Sequence, residues 1–266
     1  KNDDHILSKQ YNRIIGEIFQ IQGEIAGQIA SELSGYLSNQ QLTEIKRNQT
    51  DNLEAYNYYQ MGRFHINLGR RDDPYASFDY FRKAIRADSN YALAYAGLAE
   101  AYVYMTSQGR GWMEDQESGK DTAVKLAIKA LEIDENLAEA HKVLGRIYRN
   151  FDYNYKAAEK KYLKAIELGN TDYSSYAWLL NMTGRPEKAR EYMDKVIMLD
   201  PVSFDERFSS ALLYLTEQNY SKALEEIDIC LELVPEHYYA LEFKCLINFE
   251  LGNEKAAYES LRKVGP

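Results

Sequence analysis

Small and large apolar side chains alternate along this chain at helical spacing, and the alternation returns with a regular period. Small residues recur at Ser77, Ala123, Ala158, Ala189, Ala223 and Ala257. Seven residues after each stands a second small or β-branched one: Ala84, Ala130, Ala165, Val196, Cys230 and Val264. A spacing of seven keeps both markers on one helix face. Successive markers lie 46, 35, 31, 34 and 34 residues apart, a period centred on 34. That length predicts two helices per period. The preceding helix of each pair carries its own signature in "YNYYQMGRFHINLG", "YAGLAEAY", "HKVLGRIY" and "RFSSALLYLTEQNY". Gly62, Ala99, Gly145, Ala177, Ala211 and Cys245 take its small position. Antiparallel helices approach to about 8–10 Å only where the contact residues are small. Leu98, Tyr102, Leu144, Tyr148 and Tyr214 then fill the space on either side. "LDP" at 199–201 and "LVP" at 233–235 end second helices, because proline cannot continue one but can begin the next. "ADSN" and "IDEN" end others with turn-forming residues.

The period and its small positions resemble the tetratricopeptide repeat (TPR). The resemblance implies an all-α fold: a right-handed α-solenoid of about six helix pairs over 52–266, with an N-terminal amphipathic helix. Departures from the period locate the irregularities. Unit one has three extra residues in its inner turn, "RRDDPY". Unit two has about twelve extra at 105–121, "MTSQGRGWMEDQESGKD", expected as a stretch between its helices. Unit four is three residues short around "GNTDYSS", so its first helix is expected to start late or tilt. At "SLRKVGP" no polar capping helix follows, which leaves an apolar edge on 254–264 for a tail, a partner or another copy to cover. Residues 14–37 place Ile14, Ile18, Ile21, Ile25, Ile29 and Leu33 on one stripe. That helix is expected to cap unit one; the alternative is packing on a preceding domain.

Composition narrows the function. With 32 Lys and Arg against 41 Asp and Glu, the net charge is −9, so this segment lacks the basic footprint of nucleic-acid binding. No apolar run approaches the roughly 18–20 residues that cross a bilayer, so direct membrane insertion is not expected. The first residue is Lys and no signal-peptide pattern follows it. Cys230 and Cys245 have no metal-type spacing and read as two buried thiols or as a disulfide. His5, His65, His141 and His237 fall far apart, with His65 and His141 at packing positions. "GRG" at 109–111 has no preceding strand, and GxSxG, HExxH and P-loop patterns are absent. Many of the 23 tyrosines land at packing positions, where an aromatic body with a polar tip suits a half-buried slot. No catalytic residue, metal site or cofactor is expected.

What remains is surface. In such solenoids the first helices line a concave face, here through Tyr56, Tyr59, Arg63 and Asn67 in unit one and Glu100 and Tyr104 in unit two. Unit three contributes Lys142, Arg146, Arg149 and Asn150, and unit four Ser174, Trp178 and Asn181. Phe208, Leu212 and Leu215 follow in unit five, and Leu246 and Phe249 in unit six. Lys142, Arg146 and Arg149 recur every three to four residues as a cationic stripe. The stripe reads as a clamp for an acidic segment or a C-terminal carboxylate, with Asn150 and Asn181 as extra donors. The alternative is a solvated face neutralised by neighbouring Glu residues. Phe208, Leu212, Leu215, Leu246 and Phe249 would floor an apolar groove, either a binding surface or one covered by the chain itself. The expected function is a non-enzymatic scaffold for a protein or peptide; self-association as a homodimer is the alternative.

A narrower resemblance rests on the order of features. "HILSKQYNR" at 5–13, then "IFQIQGEIAGQIASEL", is similar to the end of a TolB-like domain, where a strand with a Leu-Trp-Ser-type motif and Tyr-x-Arg leads into a helix with Phe-x-x-Gln. "NLEAYNYYQMGRFHIN" and "NLAEAHKVLGRIYRNFDYNYKAAEKKYLKAIEL" follow as in the C-terminal TPR regions of certain bacterial regulators. At Leu7-Ser8 this chain has no Trp before the Ser. The resemblance implies that 1–13 is the remnant of a TolB-like domain, extended rather than helical, and that 14–51 is helix and linker. It also implies that the chain is the sensory or interaction part of a larger signalling or transcription-regulatory protein, with a winged-helix or cyclase domain upstream. Its compartment would be periplasmic if a membrane segment lies upstream, and otherwise cytoplasmic.

Overall fold

The computed structural model describes residues 50–68, 75–107 and 116–264. The expected TolB-like remnant, the helix at 14–37 and the central part of the unit-two insert lie outside these residues. Among the described residues the secondary structure is helical throughout, with no strand. The helices come in pairs: α1 (Leu53–Leu68) with α2 (Tyr75–Ala87), α3 (Ala92–Ser107) with α4 (Gln116–Ile133), and α5 (Ala138–Asn150) with α6 (Tyr155–Glu167). They continue as α7 (Ser174–Met182) with α8 (Pro186–Leu199), α9 (Phe204–Thr216) with α10 (Tyr220–Leu233), and α11 (Tyr238–Glu250) with α12 (Glu254–Val264). The chain divides between Asn170 and Thr171 into two compact units.

The small markers sit where close approach demands them. Ser77, Ala123, Ala158, Ala189, Ala223 and Ala257 are all buried. Four residues after each, on the same face, stand Phe81, Ala127, Tyr162, Met193 and Ile227, all fully buried, and then Leu261, which is 53% exposed. The facing helix is matched to that side chain. A Cβ on Gly62 or Gly97 would lie 2.6 or 2.5 Å from the Phe81 ring, so one ring is gripped by two glycines on α1 and α3. A Cβ on Gly145 would meet Tyr162 at 2.7 Å. In the second pair Ala99 and Ala127 share one core cluster, small against small.

The inner turns of four pairs share one geometry. Tyr153, Gly184, Gln218 and Gly252 take positive φ two residues before α6, α8, α10 and α12. The residue after each donates its N–H back to the last turn of the first helix: Asn154 to Tyr148, Arg185 to Leu180, Asn219 to Tyr214 and Asn253 to Asn248, at 2.8–2.9 Å. These bonds satisfy carbonyls that a helix end leaves open. Asn154 and Asn219 then accept from the N–H of Ala157 and Lys222, capping the second helix.

The expected irregularities resolve into helix length. The ends of the unit-two insert, 105–107 and 116–121, belong to α3 and α4, which run 16 and 18 residues against 13 for α5 and for α6. Lys120 anchors the extra turns of α4, pairing with Glu117 at 2.9 Å and Asp152 at 3.1 Å. The short fourth unit has a late-starting first helix, α7, of only nine residues. Both cysteines are free thiols, so the disulfide alternative is excluded. Burial, then Glu226, pushes the Cys230 thiol up to about 12, which makes it a packing residue rather than a nucleophile.

Candidate binding face

In the first unit α1, α3 and α5 lie side by side, and one carboxylate joins them. Glu100 on α3 receives Arg63 Nη1 from α1 at 2.6 Å on Oε2. On Oε1 it receives Lys142 Nζ at 3.1 Å and Arg146 Nη1 at 3.0 Å, both from α5. The helical spacing of 142 and 146 points both side chains the same way. Burial alone would raise the Glu100 carboxyl, but Lys142, Arg63 and Arg146 together hold it well below the usual carboxylate range. Two oxygens thus serve three cations, and Glu139 adds a further negative charge acting on Arg63. The buried Nε–H of Arg146 has no acceptor.

Two cations of the stripe expected from sequence, Lys142 and Arg146, are met by a Glu, as the neutralised-face alternative has it, but at a buried carboxylate rather than in solvent. Lys142 has a side chain only 8% exposed, folded inward onto Glu100 with Arg146. Arg149 Nε donates to Asn150 Oδ1 at 2.9 Å, and its guanidinium lies 5.9 Å from the centre of the Tyr162 ring. Tyr59 is corrected from groove to core: it is 9% exposed, held between Phe81 and Tyr91 with ring centres 5.8 and 5.3 Å away. The side chain of Asn67 lies outside the described residues. Glu100 counted in the sequence as one groove residue among many. Its position opposite Arg63 and Arg146 follows from the side-by-side packing of first helices, which no local pattern encodes.

In the second unit the remaining candidates divide. Asn181 Nδ2 donates to Thr216 Oγ1 at 3.2 Å, tying α7 to α9. Trp178 and Leu212 are partly exposed. Phe208 and Leu215 are corrected from open floor to core wall: they pack on the cluster of Ala211, Ala223, Ile227 and Ile247. Phe208 also stacks on Phe204 and meets Phe243 edge-on. Leu246 and Phe249 on α11 remain open, 48% and 66% exposed. Glu206 on α9 carries no signal in the sequence. Burial and then Asp172 push its carboxyl up to about 7, against a hydrogen bond from Ser174 at 3.4 Å. No group of His, Cys, Asp and Glu among the described residues is arranged to hold a metal. No described helix is long and apolar enough to cross a membrane.

The same helical architecture recurs in solved structures. TTC0263, a thermophilic TPR protein of Thermus thermophilus, matches with a TM-score of 0.57 at 16% identity, over 74% of this chain and 98% of that one. The fold is that of the tetratricopeptide repeat. Among other TPR-like matches, PilW, a type IV pilus biogenesis factor, gives 0.58 at 18% identity, over 79% of this chain and 91% of its own. A monomeric mutant of IFIT1 with Gppp-AAAA gives 0.66 at 14% identity, over 92% of this chain and 55% of that one. No protein-family profile matches the chain, and no curated protein sequence does either. At these identities the likeness carries the TPR fold alone.

Proposed function

We propose that the chain is a non-enzymatic TPR scaffold that binds an acidic peptide segment on the first helices of its first unit. Stacked helix pairs present their first helices as a continuous surface, the kind of surface this architecture uses for binding. The observation that carries the reading is the Glu100 cluster: three cations meet one carboxylate, and Arg146 Nε–H is left without an acceptor. The Arg63 and Arg146 side chains stay 30% and 20% exposed, so a second carboxylate, from a ligand, has cationic donors to meet there. The resemblance of 5–24 to the end of a TolB-like domain supports a place in a larger bacterial regulator, with this chain as its interaction part.

The test is fluorescence anisotropy with a labelled acidic octapeptide bearing a free C-terminus. The parent chain is expected to bind it, less tightly as salt rises. Arg146→Gln leaves Arg63 and Lys142 to hold Glu100 and should weaken binding at least tenfold, on the order of one charge-assisted hydrogen bond. No binding by the parent, or equal binding by the variant, overturns the reading.

A second reading, self-association, is favoured by the open apolar residues at the end of the second unit. Leu246, Phe249, Tyr258 and Leu261 are all exposed, and Leu261 holds the register position that is buried in the five earlier pairs. Light scattering across a concentration series should then give a rising mass, abolished in Phe249→Glu/Leu261→Glu. A constant monomer mass rejects this reading.

A further inference from the structure

A cleft of about 430 Å³, lined by none of the residues of the Glu100 cluster, opens between α4, α5 and α6. Val124, Ile128 and Leu131 of α4, with Leu144 and Tyr148 of α5, form apolar walls. Glu132, Asp152 and Lys161 complete the lining. Each of its two acids has a lysine partner: Asp152 shares Lys120 with Glu117, at 3.1 Å, and Glu132 pairs with Lys129 at 3.0 Å. Lys161 differs. Its Nζ stands 3.4 Å from Nδ1 of His141, and no carboxylate reaches it within ion-pairing distance among the described residues.

His141 is a poor partner for that ammonium. Its Nε2 lies 3.2 Å from the carbonyl oxygen of Glu135, an acceptor, so Nε2 carries the proton and Nδ1 accepts from Lys161. The ring is buried, and burial together with Lys161 lowers its pKa. The imidazole therefore stays neutral and offers the lysine a hydrogen bond without a countercharge. Burial, then Lys160, lowers the pKa of Lys161 as well. An ammonium with one neutral acceptor still has two N–H donors to place, and it stands at the end of an apolar cleft.

We propose that this cleft is a binding site for a small amphipathic carboxylate, its acyl or aryl body along Val124, Ile128 and Leu144 and its carboxylate on Lys161. The volume falls within the range of small-molecule pockets, and the lining has their usual form, mostly apolar with a few charged groups, of which Lys161 is the cation. Charge complementarity orients the occupant, because Lys161 is the lining charge that no opposite charge among the described residues pairs with. An apolar body alone would leave that charge partly desolvated and unpaired. None of the lining residues belongs to the Glu100 cluster, so this site and the acidic-peptide face stand or fall separately.

The experiment titrates the intact chain with octanoate carrying ¹³C in its carboxyl, followed by NMR, with octanol as the uncharged probe. Saturable octanoate binding is expected, with octanol weaker by roughly tenfold, the contribution of one charge-assisted bond. Lys161→Met should bring octanoate down to the level of octanol, while Lys161→Arg should keep the difference. Ile128 is an exposed wall residue, and Ile128→Glu should expel octanoate without disturbing the helical circular dichroism. Equal binding of both probes by the parent, unchanged octanoate binding in Lys161→Met, or no saturable binding overturns the proposal.

Discussion

Glu100 must answer three cations with two oxygens, and the consequence runs in both directions. Removing the carboxylate takes from Arg63, Lys142 and Arg146 the one group that all three share. Glu100→Ala should therefore destabilise the chain by about 3–5 kcal/mol in urea unfolding, the typical result of breaking a buried ion pair from one side. Glu206 is the opposite case, a carboxylate that pairs with no cation among the described residues. Its folded pKa, about 7, lies above the ordinary 4.5. The folded state therefore binds more protons between those values, and this group's share of stability is present below pH 4.5 and lost as pH rises towards 7. Glu206→Gln should match the parent near pH 4 and exceed it at about pH 8. Equal differences at both pH values would reject the assignment. The sequence exposed the cations at 142, 146 and 149 through their spacing, but not Glu100 as their anchor. Helical spacing reports what shares a face; partners 37 and 46 residues away in sequence are set by packing between helices.

Helices and turns were the most legible level, since small residues at contact points and turn residues at ends act locally. The unit-two insert shows the limit. Its Gly-rich, charged sequence reads as a stretch between the helices, yet α3 and α4 each extend into it. Helix propagation adds one hydrogen bond per residue, and the Lys120 pairs secure the added turns. The inner turns offer a direct test of local backbone energetics. Gly184 and Gln218 both hold positive φ, 75° and 57°. A Cβ on Gly184 would touch nothing within 4 Å, so a substitution there acts through the backbone alone. Gly184→Ala should cost about 1 kcal/mol, and Gln218→Gly should gain up to about 1 kcal/mol, both read as shifts in urea midpoint. A Gln218→Gly variant less stable than the parent would show that its side chain holds the turn.

At the scale of the molecule, the repeat count was readable from the period, whereas the division at Asn170–Thr171 was not. The short α7 that begins the second unit marks the place, and the sequence showed it only as three missing residues. In repeat architectures each pair is stabilised by its neighbours, so damage need not spread evenly along the chain. Trp178 lies on α7 in the second unit. In a Trp112→Phe background, Gly145→Ala should lower the circular-dichroism midpoint more than the Trp178 fluorescence midpoint. Coincident shifts would show one cooperative body. The first pairs also bear on how such a chain can vary. Phe81 is gripped by Gly62 and Gly97 from two helices, whereas Ala99 and Ala127 solve the same contact with two small residues. Moving from one solution to the other requires the ring to shrink before either glycine can grow. Gly62, Phe81 and Gly97 should therefore be inherited as a set, with any lasting exchange at one position following a permissive change at Phe81.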